Sequence, residues 1–310
     1  MQPDSSGPLE ARYLAFLETI THLRAGLHRY CSRMTGSVLD GEDVVQEALF
    51  QAYRNLETFD DRRPLGPWLF RIAHNRCIDF LRRRGSREEA EAAVAVPDAT
   101  LPADPVGPAL GRAVEHLVLT LPPKERACVL LKDVFDYSLE EIAELVDSTV
   151  GGVKAALNRG RSKLARLHGN ATIGQAAKSA IGPKVRAKAE EDLRLLHLYV
   201  ERFNQRDWDG LRELIADDAR LRVADRFVGR VSDSPYFANY AHLDVTWRLV
   251  VGEVEGESAV IVLHREAESW VPAAIVRIGV ADGRIVRIAD YWHCPWVVPA
   301  SASLAIARLH

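Results

Sequence analysis

Residues 137–164 read YSLEEIAELVDSTVGGVKAALNRGRSKL. Ser138 and Glu141 have the spacing of a capping box, in which the serine oxygen takes a free N–H and the glutamate reaches back. Leu139, Ile142, Ala143 and Val146 follow as one apolar stripe at helical spacing. After a short break at Asp147-Ser148 a further helix is expected from near Thr149 to about Leu167, with Val150, Val153, Leu157 and Leu164 facing inward. Upstream, Pro122 and Pro123 suit the first turn of a helix running to about Val134, where proline's missing N–H matters least. A capped helix, a tight turn and a second helix make a helix-turn-helix. The first helix of the pair is acidic (Glu140, Glu141, Glu144), whereas residues 154–166 carry five positive charges and no negative one. That polarity suits a recognition helix whose early residues face base edges and whose later cations hold phosphates. Lys154 and Asn158 are the candidate base readers; Arg159, Arg161 and Lys163 are the candidate phosphate contacts. Gly151 and Gly152 each lower helix propensity by about 1 kcal/mol relative to alanine, which loosens the start of this helix.

Two connectors flank that module and set off two others. From Gly85 to about Pro108 the chain is first Glu/Ala-rich, then carries Pro97, Pro102, Pro105 and Pro108. This density predicts an extended, semi-rigid tether over 85–109. Residues 169–189 are rich in Ala and Gly and carry Lys178, Lys184, Arg186 and Lys188 with no acid, a basic linker. The modules are then about 10–84, 110–168 and 190–310. The first is helical: Val44, Val45, Ala48, Leu49, Ala52 and Leu56 form one stripe opposite Asp43, Gln46, Glu47, Gln51 and Arg54. A second helix is expected from Trp68 to about Arg84, with Arg71, Asn75, Asp79, Arg82 and Arg83 off its apolar stripe. Six arginines and one acid fall within residues 71–87. Aromatic and amide groups beside such a ladder are what unpaired bases and their backbone require.

The third module changes grammar. Two amphipathic helices over 190–216 precede alternating runs at Thr246–Val254, Ala259–Arg265, Ala273–Val280 and Arg284–Trp292. Asp282-Gly283 is a hairpin signal, because both residues tolerate positive φ. Helices followed by antiparallel strands predict an α+β domain with helices on one face of a curved sheet.

The whole chain of 310 residues, 47% hydrophobic and 27% charged, excludes wholesale disorder. It has no apolar run long enough to span a membrane. Its start lacks a basic segment followed by an apolar run, so no signal peptide is expected, and the cytoplasm is the expected compartment. Cys31, Cys77, Cys128 and Cys294 form no C-x-x-C pair, which predicts buried thiols rather than a disulfide framework or zinc site. The net charge of −3 is uneven: residues 190–310 carry 14 Lys/Arg and 19 Asp/Glu.

The order of the pieces resembles a known family. Asp43-Val-Val-Gln-Glu47-Ala and Trp68-Leu-Phe-Arg-Ile-Ala-His-Asn75-Arg-Cys-Ile-Asp79-Phe-Leu-Arg-Arg83 resemble region 2 of the extracytoplasmic-function (ECF) sigma factors. Leu121-Pro-Pro-Lys-Glu-Arg126, Tyr137 to Ala143, and Val153-Lys154 through Leu164 resemble region 4. The match covers about 20–168. It implies a subunit of RNA polymerase that directs promoter-specific initiation and performs no bond chemistry, with no catalytic residue, cofactor or metal. Asp43, Gln46 and Glu47 fall where region 2 docks on the β′ coiled coil of core polymerase, and the β subunit is the other implied contact. Arg71, Asn75, Asp79, Arg82 and Arg83 fall on the face that captures the melted −10 element of promoter DNA. Thr149, Lys154, Asn158 and Arg161 fall where region 4 reads the −35 element. A tether over 85–109, extending to about 80 Å at 3.3 Å per residue, allows the two modules to stand apart.

Phe203-Asn-Gln-Arg-Asp-Trp208, Leu211 through Asp218, and Arg287-Ile-Ala-Asp-Tyr-Trp-His293 resemble the SnoaL-like branch of the NTF2-like cone fold. That resemblance implies a built-in regulator, with a small-molecule pocket that Trp247, Trp270, Tyr291 and His293 could line. Asp290 and His293, three apart on a strand, project to opposite faces and make no catalytic pair. The fold class is therefore multidomain: two all-α domains and a C-terminal α+β domain. Two rival functions remain at this level, a helix-turn-helix regulator independent of polymerase, and an isomerase-like SnoaL domain fused to a DNA-binding module.

Overall fold

The computed structural model describes residues 8–60, 62–94, 119–170, 183–301 and 303–306. The chain divides into two compact units, Met1–Asp98 with Pro108–Ala176, and Ala99–Gly107 with Ala177–His310. Both helical modules lie in the first.

Three helices build the front of the first unit: α1 (Pro8–Thr35), α2 (Val38–Arg54) and α3 (Leu65–Val94). Ser37 caps α2, its side chain accepting from Asp40 N at 3.3 Å. The crossing of α1 and α2 is very close, because a Cβ on Gly41 would lie 2.5 Å from Ser32 N and 2.6 Å from Ser32 Cα. In an open helix Gly→Ala gains about 1 kcal/mol. Here the sign reverses: Gly41→Ala is expected to cost about 2–3 kcal/mol by forcing the helices apart, read as a lower urea midpoint.

The helix α3 continues ten residues past Arg84, into the stretch expected to begin the tether. Glu88-Glu-Ala-Glu-Ala-Ala93 is strongly helix-forming, and one glycine at 85 is a penalty that such a run outweighs. The proline-rich part of that tether, 97–108, lies outside the described residues. So does Lys178 of the second connector, whose Lys184, Arg186 and Lys188 belong to a helix, α7 (Pro183–Gln205).

The helix-turn-helix module follows as expected, with one refinement. Helix α4 (Pro123–Val129) passes into a π-helical turn at Leu130–Val134, then come α5 (Leu139–Leu145) and α6 (Val150–Asn170). The capping box forms in both directions: Ser138 N donates to Glu141 Oε2 at 2.7 Å and Glu141 N to Ser138 Oγ at 3.2 Å. At the other end of α5, Asp147 takes φ +47° and Ser148 N reaches Ala143 O at 2.9 Å. This is a Schellman closure, and it makes the tight turn into α6. Gly160 lets α6 approach α4, since a Cβ there would sit 2.9 Å from Val129 Cγ2.

The sequence predicts two helical modules held apart; the structure joins them in one core. Tyr30, Leu69, Phe70 and Cys77 from α1 and α3 share a cluster with Leu121, Cys128, Leu131 and Ile142 of the second module. A long tether permits separation, but it equally permits two apolar surfaces to find each other.

In the second unit, α7 and α8 (Trp208–Leu214) precede a seven-stranded sheet of order β2-β1-β6-β5-β4-β3-β7. The strands are β1 (Ile215–Val223), β2 (Phe227–Arg230), β3 (Trp247–Val254), β4 (Glu257–Glu266), β5 (Ser269–Ala281), β6 (Arg284–Asp290) and β7 (Leu304–Ile306). A short helix, α9 (Tyr236–Ala241), lies between β2 and β3, and α10 (Val297–Ala300) precedes β7. Pairing is antiparallel except between β1 and β6. Asp282 and Gly283 both take positive φ in the β5–β6 hairpin, as expected. Leu196, Tyr199 and Phe203 of α7 pack with Leu249, Val251, Val260 and Val262 of the sheet, while Val250, Ile261 and Leu263 form a separate cluster with Trp270. This α+β layering is the one that the SnoaL-like resemblance implies. The Phe203–Trp208 motif turns out to be its clamp: Asn204 Nδ2 donates to Leu249 O at 2.9 Å and Leu249 N returns to Asn204 Oδ1 at 2.8 Å.

Candidate nucleic-acid interface

On α3, Arg71, Asn75 and Arg82 are exposed and recur at helical spacing, so one stripe carries two guanidinium groups and an amide. Asp79, half-buried within it, accepts from Arg82 at 3.1 Å and lies 3.9 Å from Arg76. The acid therefore sets the pose of its neighbouring cations. Arg83 reaches back to Asp79 O at 3.3 Å and stands 3.7 Å from Glu47. Beneath the stripe His74 is buried, with Tyr30 Oη 2.8 Å from its Nδ1. Burial pulls its pKa down from 6.5 to about 4, so the ring is neutral at physiological pH.

The helix α6 separates its polar residues into two sets. Thr149, Lys154, Asn158 and Ser162 are exposed. Thr149 Oγ1 accepts from Gly152 N at 3.0 Å, which holds the glycine-bearing start of the helix in place. For Lys154 and Asn158 no hydrogen bond or ion pair is found among the described residues. Arg159 and Arg161 are exposed as well and Lys163 half-buried, but all three are paired. Arg159 Nε and Lys163 Nζ each donate to the buried Glu125 carboxylate at 2.8 Å, and Arg161 chelates Asp133 with Nε at 3.1 Å and a second nitrogen. Hydrogen bonds from Lys163 and Arg159 hold the Glu125 carboxyl below its ordinary pKa. These three cations, expected as phosphate contacts, tie α6 to α4 and the π-helical turn. Sequence reasoning missed Glu125 because the ties span 34 and 38 residues. Glu125→Gln is expected to lower the stability of the first unit by about 1–3 kcal/mol, seen as an earlier urea transition.

The residues expected to face polymerase divide as well. Asp43 is buried, Gln46 is half-buried and donates to Glu42 Oε1 at 3.0 Å, and Glu47 is exposed. Glu42, overlooked in the sequence, is fully buried and paired with Arg24. On the same outer side of α2 Phe50 is 64% exposed, and it borders a groove of about 430 Å³ lined by Glu47, Gln51, Arg54, Asn55 and Arg76.

In the second unit the four expected pocket residues do not converge. Trp247 is buried in the main cluster, under the Arg206 guanidinium at 3.6 Å, and donates to Tyr240 O at 3.1 Å. Trp270 packs with the separate Val250 cluster, Tyr291 is buried beside Arg222, and His293 is exposed. Alternation along a strand sends neighbouring side chains to opposite faces, and rings of Tyr199, Phe203, Tyr236 and Tyr240 fill the space between helix and sheet. What does converge is Asp290: Tyr236 and Tyr240 donate to its Oδ2 at 2.9 and 2.7 Å, and Trp292 N to its Oδ1 at 2.8 Å. Burial raises its pKa against those three donors. The four cysteines are free and buried, Cys31 in hydrogen-bond contact with Cys77.

Comparison with known proteins gives these faces a context. Residues 19–87 match the family model Sigma-70 region 2, and residues 111–164 match Sigma-70, region 4. The ECF RNA polymerase sigma factor SigW of Bacillus subtilis is 35% identical over 162 residues, covering 48% of this chain and 87% of SigW. The ECF RNA polymerase sigma factor SigG of Mycobacterium tuberculosis is 32% identical over 226 residues, or 63% of this chain and 58% of SigG. Among solved structures, the Mycobacterium tuberculosis ECF sigma factor SigJ aligns over 88% of this chain and 95% of its own, with 17% identity and a TM-score of 0.36.

Proposed function

The chain belongs to the ECF sigma factors of RNA polymerase, and from that premise we propose how its surfaces divide the work at a promoter. As a sigma factor it binds core polymerase and directs transcription initiation at promoter DNA. The α3 stripe of Arg71, Asn75 and Arg82, posed by Asp79 and flanked by Arg83, takes the melted −10 strand. The exposed edge of α6, with Thr149, Lys154 and Asn158, enters the major groove at the −35 element. Arg159, Arg161 and Lys163 act there through the helix they fasten. Glu47 and Gln46, over the buried Asp43, face the β′ coiled coil, and the second module meets the β subunit. The compartment is the one in which core polymerase works, the cytoplasm. Among the described residues no helix is long and apolar enough to cross a membrane. The acidic second unit is a built-in regulator rather than a catalyst.

One observation carries this reading: of the polar groups expected on the recognition helix, Lys154 and Asn158 are exposed with no hydrogen bond or ion pair among the described residues, whereas Arg159, Arg161 and Lys163 are paired with Glu125 and Asp133. Site-specific photocrosslinking tests it. A photoreactive residue at 75 should label the −10 non-template strand, and one at 158 the −35 duplex. Labelling at exchanged or unrelated positions would contradict the assignment. Deleting residues 170–310 tests the regulator; unchanged polymerase binding and promoter output would remove that role.

A further inference from the structure

The two faces of the sheet in the second unit carry different chemistry. One packs against α7 and α8. On the other, the strand registers set arginines side by side. Arg220 of β1 stands opposite Arg230 of β2 in the antiparallel ladder and opposite Arg287 of β6 in the parallel one. Side chains directly opposite share a face. Leu221, the next residue along β1, is buried with Ile288 in the core, so the three arginines point away from the helices. All three are exposed. Neighbouring strands lie about 4.8 Å apart, which makes a row about 10 Å long. For the side chains of Arg220 and Arg230 no hydrogen bond or ion pair is found among the described residues. The next rung on the same face is already engaged: Arg222 donates to Tyr291 Oη at 3.3 Å, and Arg277 to Glu257 Oε2 at 2.6 Å.

Such a row destabilises the sheet that carries it. Like charges directly opposite one another across strands repel, and Arg220 has one on either side. The row also reverses the sign of its surroundings, since residues 190–310 carry 14 Lys/Arg against 19 Asp/Glu. A ligand with repeated negative charges removes the repulsion, and the planar guanidinium fork matches phosphate oxygens. A protein partner would be held around an apolar or aromatic centre. On β1, β2, β5 and β6 the only exposed large hydrophobic side chain among the described residues is Val228. We propose that the row of Arg230, Arg220 and Arg287 binds the phosphate backbone of duplex DNA, a sequence-independent contact made by the second unit. The inference goes beyond the sigma-factor reading, which gives DNA to the helical unit, and rests on it only for bringing the chain to DNA.

The test is a salt titration of the full chain against a fluorescent DNA duplex of arbitrary sequence. Between about 50 and 200 mM KCl each phosphate contact adds about 0.9 to the slope of log K against log salt. Arg220→Gln with Arg230→Gln should make that slope shallower by about 2. Arg220→Lys with Arg230→Lys should preserve it, because the charges remain. The urea midpoint of the glutamine variant should equal or exceed that of the unsubstituted chain, because the cross-strand repulsion is gone. The control is Arg194→Gln with Arg212→Gln, the same change of net charge placed on α7 and α8, and its slope should stay at the unsubstituted value. Equal losses in the two glutamine variants, or an unchanged slope in the row variant, overturn the proposal. So does a row variant that loses binding to poly-glutamate while keeping its DNA slope, the result expected of a site for an acidic protein. The titration needs no polymerase, so its result stands apart from the initiation assays that test the sigma-factor reading.

Discussion

Asn158→Ala should lower affinity for the −35 duplex by about 5- to 150-fold, the 1–3 kcal/mol that one well-placed base contact carries. The loss should fall at one base pair, so that the variant discriminates poorly there and normally elsewhere. Arg159→Ala is the informative contrast. Its charge is committed to Glu125, so DNA affinity should stay within about twofold while the first unit unfolds earlier in urea. Holoenzyme binding to −35 duplexes substituted one pair at a time would separate the two outcomes. An Arg159→Ala loss equal to that of Asn158→Ala, with stability untouched, would restore the arginine as a DNA contact and undo the split drawn on α6.

The second large effect concerns pH. His74 titrates near 6.5 in an unfolded chain and at about 4 in the folded one. Its folded pKa is depressed, so between these values the unfolded state binds more protons. The stability from keeping the ring neutral is present above pH 6.5 and is lost as pH falls through about 4. The difference amounts to about 3 kcal/mol. Burial also lowers the pKa of His28, so that ring acts in the same direction. His74→Gln keeps an acceptor for the Tyr30 hydroxyl but cannot titrate. Urea unfolding of the first unit at pH 7 and pH 4.5 should therefore show a shallower acid loss in the variant, and parallel losses would contradict the burial account. His74 contacts the ring of Tyr30, which itself packs on Phe135, so acid should loosen this aromatic cluster along with the module.

Local order was legible in the sequence and long-range pairing was not. The capping box at Ser138, the turn at Asp147 and the Asp282-Gly283 hairpin depend on residues a few positions apart, and each formed where the spacing put it. Strand β1 escaped because Asp217-Asp218 breaks its alternation and its partner β6 lies some 70 residues on. Apolar stripes on α2, α3, α5 and α6 announced burial without naming what would cover them, so the shared core of the two modules could not be foreseen. The same blindness hid the functional details. Glu125 is an ordinary acid in the string Lys124-Glu125-Arg126, and only folding brings it to Arg159 and Lys163. Tyr236 and Tyr240 lie one helical turn apart, and their closing on Asp290 depends on a strand 50 residues away.

Run-off transcription with purified core polymerase and the full chain, on a pool of promoter fragments, tests the central claim most directly. The account requires transcripts from a subset of fragments sharing two upstream elements, lost when Asn75 and Asn158 are both replaced by alanine. Transcripts unchanged by that double substitution, or no transcripts beyond those of core polymerase alone, would contradict it.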